Sequence, residues 1–166
     1  MAESVPAGVP GRADAEGAMD RRRRLNAAQR ALHILLGDGS GAWPEVYELI
    51  DCVRERGLYR PDFRSFTAWM KALADREGVS TSLLWRRKRA GDFYRAWASM
   101  HPAAPELGKT PNLSVDGLDT IRKISQIDAA RADELMYELI DRGLSPKRLR
   151  AELRERELHR RRMERR

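Results

Sequence analysis

FTAWMKALADREGVSTSLLWRRKRAGDFY, residues 66–94, is the stretch from which the rest of the chain is read. Phe66, Trp69, Met70 and Leu73 recur at i, i+3, i+4 and i+7, which puts them on one face of a helix. Ser65 stands just ahead, where a short hydroxyl accepts an otherwise orphaned backbone N–H. Gly78 ends the helix, because glycine takes the left-handed conformation of a C-terminal cap without a Cβ clash. Ser80 then caps a second helix. Ala74 precedes the glycine by four positions and Leu84 follows it by six. At that spacing a small residue lets the second helix cross close over the first, and Val79 and Leu84 fill the angle between them. The AGD triplet at 90–92 predicts a break or kink, with Asp92 capping the segment beyond it. Phe93 and Trp97, with Ala96 and Met100 beside them, form an aromatic ridge assigned to the core.

The second helix opens on hydroxyls, Ser80, Thr81 and Ser82, and continues into WRRKR at 85–89. Short hydroxyls reach base edges or phosphates, and a basic run neutralises phosphate charge. Ala74, the GVS triplet at 78–80, Leu84 and the WRR triplet at 85–87 resemble the helix-turn-helix DNA-binding proteins of bacteria. The longer run, SFTAW at 65–69 with GVSTSLLWRRKRAGDFY at 78–94, looks like small regulators carried on plasmids and other mobile elements. The resemblance implies a recognition helix in the major groove of double-stranded DNA. Ser80, Thr81, Ser82, Trp85 and Arg86 would lie nearest the bases and phosphates, with Arg87, Lys88 and Arg89 on the backbone. Two positions depart from the family pattern: Glu77 stands where an apolar residue is usual, and Arg87 where a second core residue is usual. The alternatives are a helical adaptor or accessory subunit of a nucleic-acid-processing assembly, and a plain helical hairpin whose basic face is merely solvated.

Thirty-two basic against twenty-five acidic residues give a net charge of +7 and a pI near 10.1, which favours a polyanionic partner. Most of that excess is local. Lys147 to Arg166 hold ten basic and four acidic residues, or +6. A hydrophobic content of 42% supports a real core, and 34% charged residues suit a helical protein with much surface. The single cysteine, Cys52, rules out an intrachain disulfide and suits a reducing compartment. No apolar run approaches the roughly 18 residues of a membrane helix. The short apolar stretch after Arg21–Arg24 does not make a secretory signal, so the cytoplasm is the expected location.

An all-α chain in two parts is expected. Residues 1–20, rich in Ala, Gly, Pro and acidic types, read as a disordered tail. Arg21–Arg24 form either a basic arm for DNA phosphates or a solubilising flank. Residues 21–100 make a helical domain. In it Leu25, Ala28, Leu32, Leu35 and Leu36 line one buttressing helix, and Val46, Leu49, Ile50 and Val53 line another. GDGSG at 37–41 separates those two helices, and Gly57 ends the second. Residues 101–113, with three prolines, read as a linker or an irregular loop, and 114–166 as a C-terminal helical domain with a basic tail. There Ser114 or Asp116, then Asp128, then Ser145 with Pro146, open three helices. Leu149, Leu153, Leu158 and Met163 trace an apolar stripe for a homodimer or a protein partner.

Catalytic chemistry is not expected. His33, His101 and His159 are scattered, and one cysteine offers no metal-ligand spacing. There is no glycine-rich phosphate loop followed by lysine, and no nucleophile paired with a base. A non-enzymatic protein without cofactors is the expectation.

Overall fold

The computed structural model describes residues 12–37 and 42–165. Among the described residues it is all-helical, with seven α-helices and no strand. In order these are α1 (Arg12–Gly37), α2 (Trp43–Glu55), α3 (Phe66–Glu77), α4 (Thr81–Met100), α5 (Val115–Ser125), α6 (Ala129–Arg142) and α7 (Pro146–Glu164). A short 3-10 turn, Leu107–Lys109, lies between α4 and α5.

Local chemistry sets most of the boundaries. The hydroxyls of Ser65, Ser80, Ser114 and Ser145 and the carboxylate of Asp128 each accept from the backbone N–H three residues on, opening α3, α4, α5, α7 and α6. Pro146 sits in the first turn of α7, where its missing N–H costs nothing. Gly78 adopts φ 65°, and the N–H groups of Gly78 and Val79 both turn back to the Ala74 carbonyl.

Two apolar clusters form the core. The first joins Leu25 and Leu32 of α1, Val46, Ile50 and Val53 of α2, Trp69, Met70, Leu73 and Ala74 of α3, and Leu84 of α4. The second gathers Trp43 and Tyr47 from α2, Ala90, Tyr94 and Trp97 from α4, and the inward faces of α5, α6 and α7. Leu118, Ile121 and Ile124 of α5 are fully buried at its centre. Thus α2 and α4 contribute to both clusters.

Four expectations need correction. First, α1 reaches back to Arg12, so the stretch 12–20 read as a disordered tail is helical; residues 1–11 lie outside the described part, as do 38–41. The segment carries Ala, Glu, Met and Arg, strong helix formers that need no apolar core, and Asp20 pairs with Arg24 at 2.9 Å one turn on. Second, α4 runs unbroken through Ala90, Gly91 and Asp92. Gly91 is a point of close approach: a Cβ there would lie 2.3 Å from the ring of Tyr47. Third, of the two readings of 101–113 the irregular loop holds, and it is packed against the core where a linker would be free. Leu107 and Leu113 are buried, and the Trp43 indole donates to the Leu113 carbonyl at 3.0 Å. Fourth, the stripe on α7 is divided. Leu149 is buried and Leu153 packs on the same core, leaving Leu158 and Met163 exposed.

Candidate nucleic-acid interface

The eight predicted contacts, Ser80, Thr81, Ser82 and Trp85 to Arg89, lie at the start of α4, and each side chain's direction follows from helix geometry. The inward side is taken by Leu84, Lys88 and Gly91, seated against α2 and α3. Ser82, Arg86 and Arg89 stand at i, i+4 and i+7 on the outward side. Ser80 and Thr81 complete the first turn. The Ser80 hydroxyl accepts from the Leu83 N–H at 3.2 Å and lies 3.1 Å from the Ser82 hydroxyl. The N–H groups at this end of a 20-residue helix carry the positive pole of its dipole.

Three predicted contacts have other duties. Lys88 is not available to a DNA backbone, contrary to expectation: its side chain is 2% exposed. Its ammonium lies 2.5 and 2.7 Å from the two Asp92 carboxylate oxygens and 3.1 Å from Asp51 on α2. A lysine on the inward side of a helix carries its charge into the protein, so partners must come with it. Trp85 meets Phe66 edge-on at 5.8 Å, in an aromatic row that runs from Tyr59 through Phe66 to Trp69. Half-buried there, it holds α3 to α4. Arg86 pairs with Asp116 in the first turn of α5.

Arg87 and Arg89 have no carboxylate partner among the described residues. Arg87 is half-buried, and that burial pulls its pKa below the ordinary guanidinium value. Arg89 is exposed. The outward surface therefore comprises Ser80, Thr81, Ser82, Arg86 and Arg89, with Arg87 at its margin.

Behind it lies an ionic cluster that the sequence pattern did not reveal. Asp51 is buried between Lys88 and Arg95. Burial pushes its pKa up, but the hydrogen bonds from Lys88 and Arg95 more than offset this and hold it below the usual carboxylate range. The Tyr47 hydroxyl donates to Asp92 at 3.1 Å, and its ring lies 5.1 Å beneath the Arg95 guanidinium. Burial and the neighbouring Asp51 and Asp92 charges raise the Tyr47 phenol. The one available signal was the i, i+4 spacing of Lys88 and Asp92 within α4.

Glu77, the charged residue at the turn, is also accommodated. Its side chain is buried against His33 of α1, 2.7 Å away, and accepts from Arg76 at 2.7 Å. Burial raises its pKa, yet the bonds from His33 and Arg76 leave it lowered overall. Of the Arg21–Arg24 cluster, Arg22 grips Asp62 through two nitrogens at 3.0 and 2.6 Å, so it is fastened to the loop before α3. Among the described residues no group of three His, Cys, Asp or Glu is placed to hold a metal ion, and no helix is long and apolar enough to cross a membrane. No family model matches the chain, and neither a curated protein nor a solved structure matches it.

Proposed function

We propose that this protein binds double-stranded DNA sequence-specifically through the first half of α4, with α3 and α4 acting as a helix-turn-helix, and regulates transcription or the maintenance of a plasmid or mobile element. One observation carries the proposal: the side of α4 that neither core claims presents Ser82, Arg86 and Arg89 in a line above a hydroxyl-rich first turn. Guanidinium groups pair bidentately with guanine, hydroxyls reach phosphates, and a helix N-terminus attracts an anion. The Arg86–Asp116 pair is half-exposed on both sides, at 42% and 53%. Such a pair stabilises a fold by about 0.2–1 kcal/mol and exchanges readily for a phosphate or a base edge. The surface proposed is narrower than the sequence implied: Lys88 is buried within the fold, and Trp85 is half-buried against Phe66. On α7 only Leu158 and Met163 stay exposed among the large apolar residues, so a homodimer or protein partner docking there would meet a mainly charged surface.

The test is selection of bound sequences from a randomised duplex library, followed by competition with excess random DNA. A recovered motif that survives competition is the expected outcome. Arg89→Ala should then weaken motif binding by about 1–3 kcal/mol and relax one base position. Arg86→Ala should act in the same direction. Recovery of no motif, or equal displacement by random DNA, would favour the second reading, an accessory subunit that grips phosphates alone.

A further inference from the structure

We infer that the outward face of α7 is a second, sequence-independent binding surface for the phosphate backbone of double-stranded DNA. Lys147, Arg150, Arg154, Arg161 and Arg165 follow one another at steps of three, four, seven and four residues, which keeps them on one side of the helix. All five are exposed, and none pairs with a carboxylate among the described residues. From the first to the last, the row extends about 27 Å at 1.5 Å per residue.

The opposite side of the same helix is built differently. Leu149 and Leu153 enter the core. Arg156 pairs with Asp128 at 2.7 Å and with Glu152 at 3.2 Å, Glu152 accepts from Arg131 at 2.9 Å, and Arg148 pairs with Glu138 at 2.6 Å. Cations that serve the fold are thus matched one by one, whereas those facing outward are not. Like charges one turn apart destabilise a helix by a few tenths of a kcal/mol per pair. The row contains three such adjacent steps, and Glu157, one turn from Arg154 and from Arg161, makes an ion pair with neither.

The charge distribution supports the same conclusion. Lys147–Arg166 hold +6 of the net +7, so the remainder of the chain is close to neutral. Attraction to a polyanion therefore originates mainly here, away from α4. An anionic membrane fits less well. The apolar side of α7 is consumed by the core, and the outward row offers one large apolar side chain, Leu158, where an interfacial helix needs a continuous apolar face. Single strands fit less well too, because α7 has no Phe, Tyr or Trp and offers only the His159 imidazole for bases to stack on. This surface shares a ligand with the α4 proposal but none of its residues, and it stands if α4 reads nothing.

The experiment measures binding of the full chain to a random-sequence duplex as a function of salt. Arg150→Gln, Arg154→Gln, Arg161→Gln and Arg165→Gln are combined in one variant. Each lost phosphate contact lowers the slope of log K against log salt by about 0.9, so a fall of about 2–4 is expected. The same four positions changed to Lys should restore the slope. Arg161→Gln with Arg165→Gln alone lies beyond Arg156, the last residue of α7 with an ion pair to another helix, so it leaves the core intact and should lower the slope by about 1–2. An unchanged slope in that folded double variant overturns the inference. Wild-type binding to phosphatidylserine vesicles without binding to duplex overturns it in favour of a membrane. Arg86→Ala with Arg89→Ala, run in parallel, separates the two surfaces: loss of motif selection with an unaltered random-duplex slope belongs to α4, and the converse to α7.

Discussion

Gly91 sits in mid-helix, where glycine costs about 1 kcal/mol relative to alanine. It is kept there by the ring of Tyr47, which occupies the space a Cβ would need. Gly91→Ala should therefore destabilise the protein, by about 1–3 kcal/mol through overpacking, despite alanine's better helix propensity. Urea denaturation followed by far-UV circular dichroism measures this, and a stabilised variant would refute the close approach. Nothing near position 91 in the sequence announces Tyr47, which lies on another helix. An AGD triplet therefore reads as a breaker until the crossing of α2 over α4 is known. Lys88 illustrates the same limit. Within WRRKR it is indistinguishable from its neighbours, and only Asp51, far away on α2, sets it apart. Ser65, Gly78, Ser80 and Asp128 were legible because a cap depends on a few adjacent atoms.

At the level of elements, the joints between helices differ in kind. α3 is joined to α4 by apolar and aromatic contacts, whereas α7 is tied to α6 through charge. Arg131 and Glu152 are 22% and 15% exposed, between the surface and buried limits. The hydrogen bonds from Arg131 hold Glu152 below the usual carboxylate range. Glu152→Gln should cost about 1–3 kcal/mol, more than an exposed pair and less than a fully buried one. Hydrogen exchange should show the loss first in the amides around residues 150–156. Exchange unaltered there would mean that Leu149 and Leu153 alone hold α7 in place. The helical periods of α2, α5 and α6 were readable, since apolar residues recur on a 3.6-residue repeat whatever they pack against. How the helices share a core was not. The prolines of 101–113 suggested a boundary, and only three-dimensional packing reveals that Leu107 and Leu113 are inside it.

Across the molecule, depressed carboxylates are distributed widely: Glu77 near α1, Asp51 between α2 and α4, Asp119 on α5 and Glu152 on α7. For Asp119, burial opposes ionisation, but Lys123 and Arg122 outweigh it. Each group binds its proton less tightly when folded than when unfolded. Their stabilisation is therefore complete above the unfolded carboxylate values near pH 4, and it is lost as pH falls through the lower folded values. Urea midpoints should be flat from about pH 7 to 5 and then decline steadily toward pH 2. A midpoint that held level to pH 2 would show that these pairs do not contribute. α4 remains one continuous rod through both clusters, and that has a mechanical corollary. A stiff shaft held in two bearings cannot tilt at one end alone. Any ligand that tips the turn at Ser82 must swing Trp97, about 22 Å along the axis, by the same angle. The indole of Trp97, hydrogen-bonded to Asp133 and stacked on His101, is a dial already mounted at the far end of that shaft.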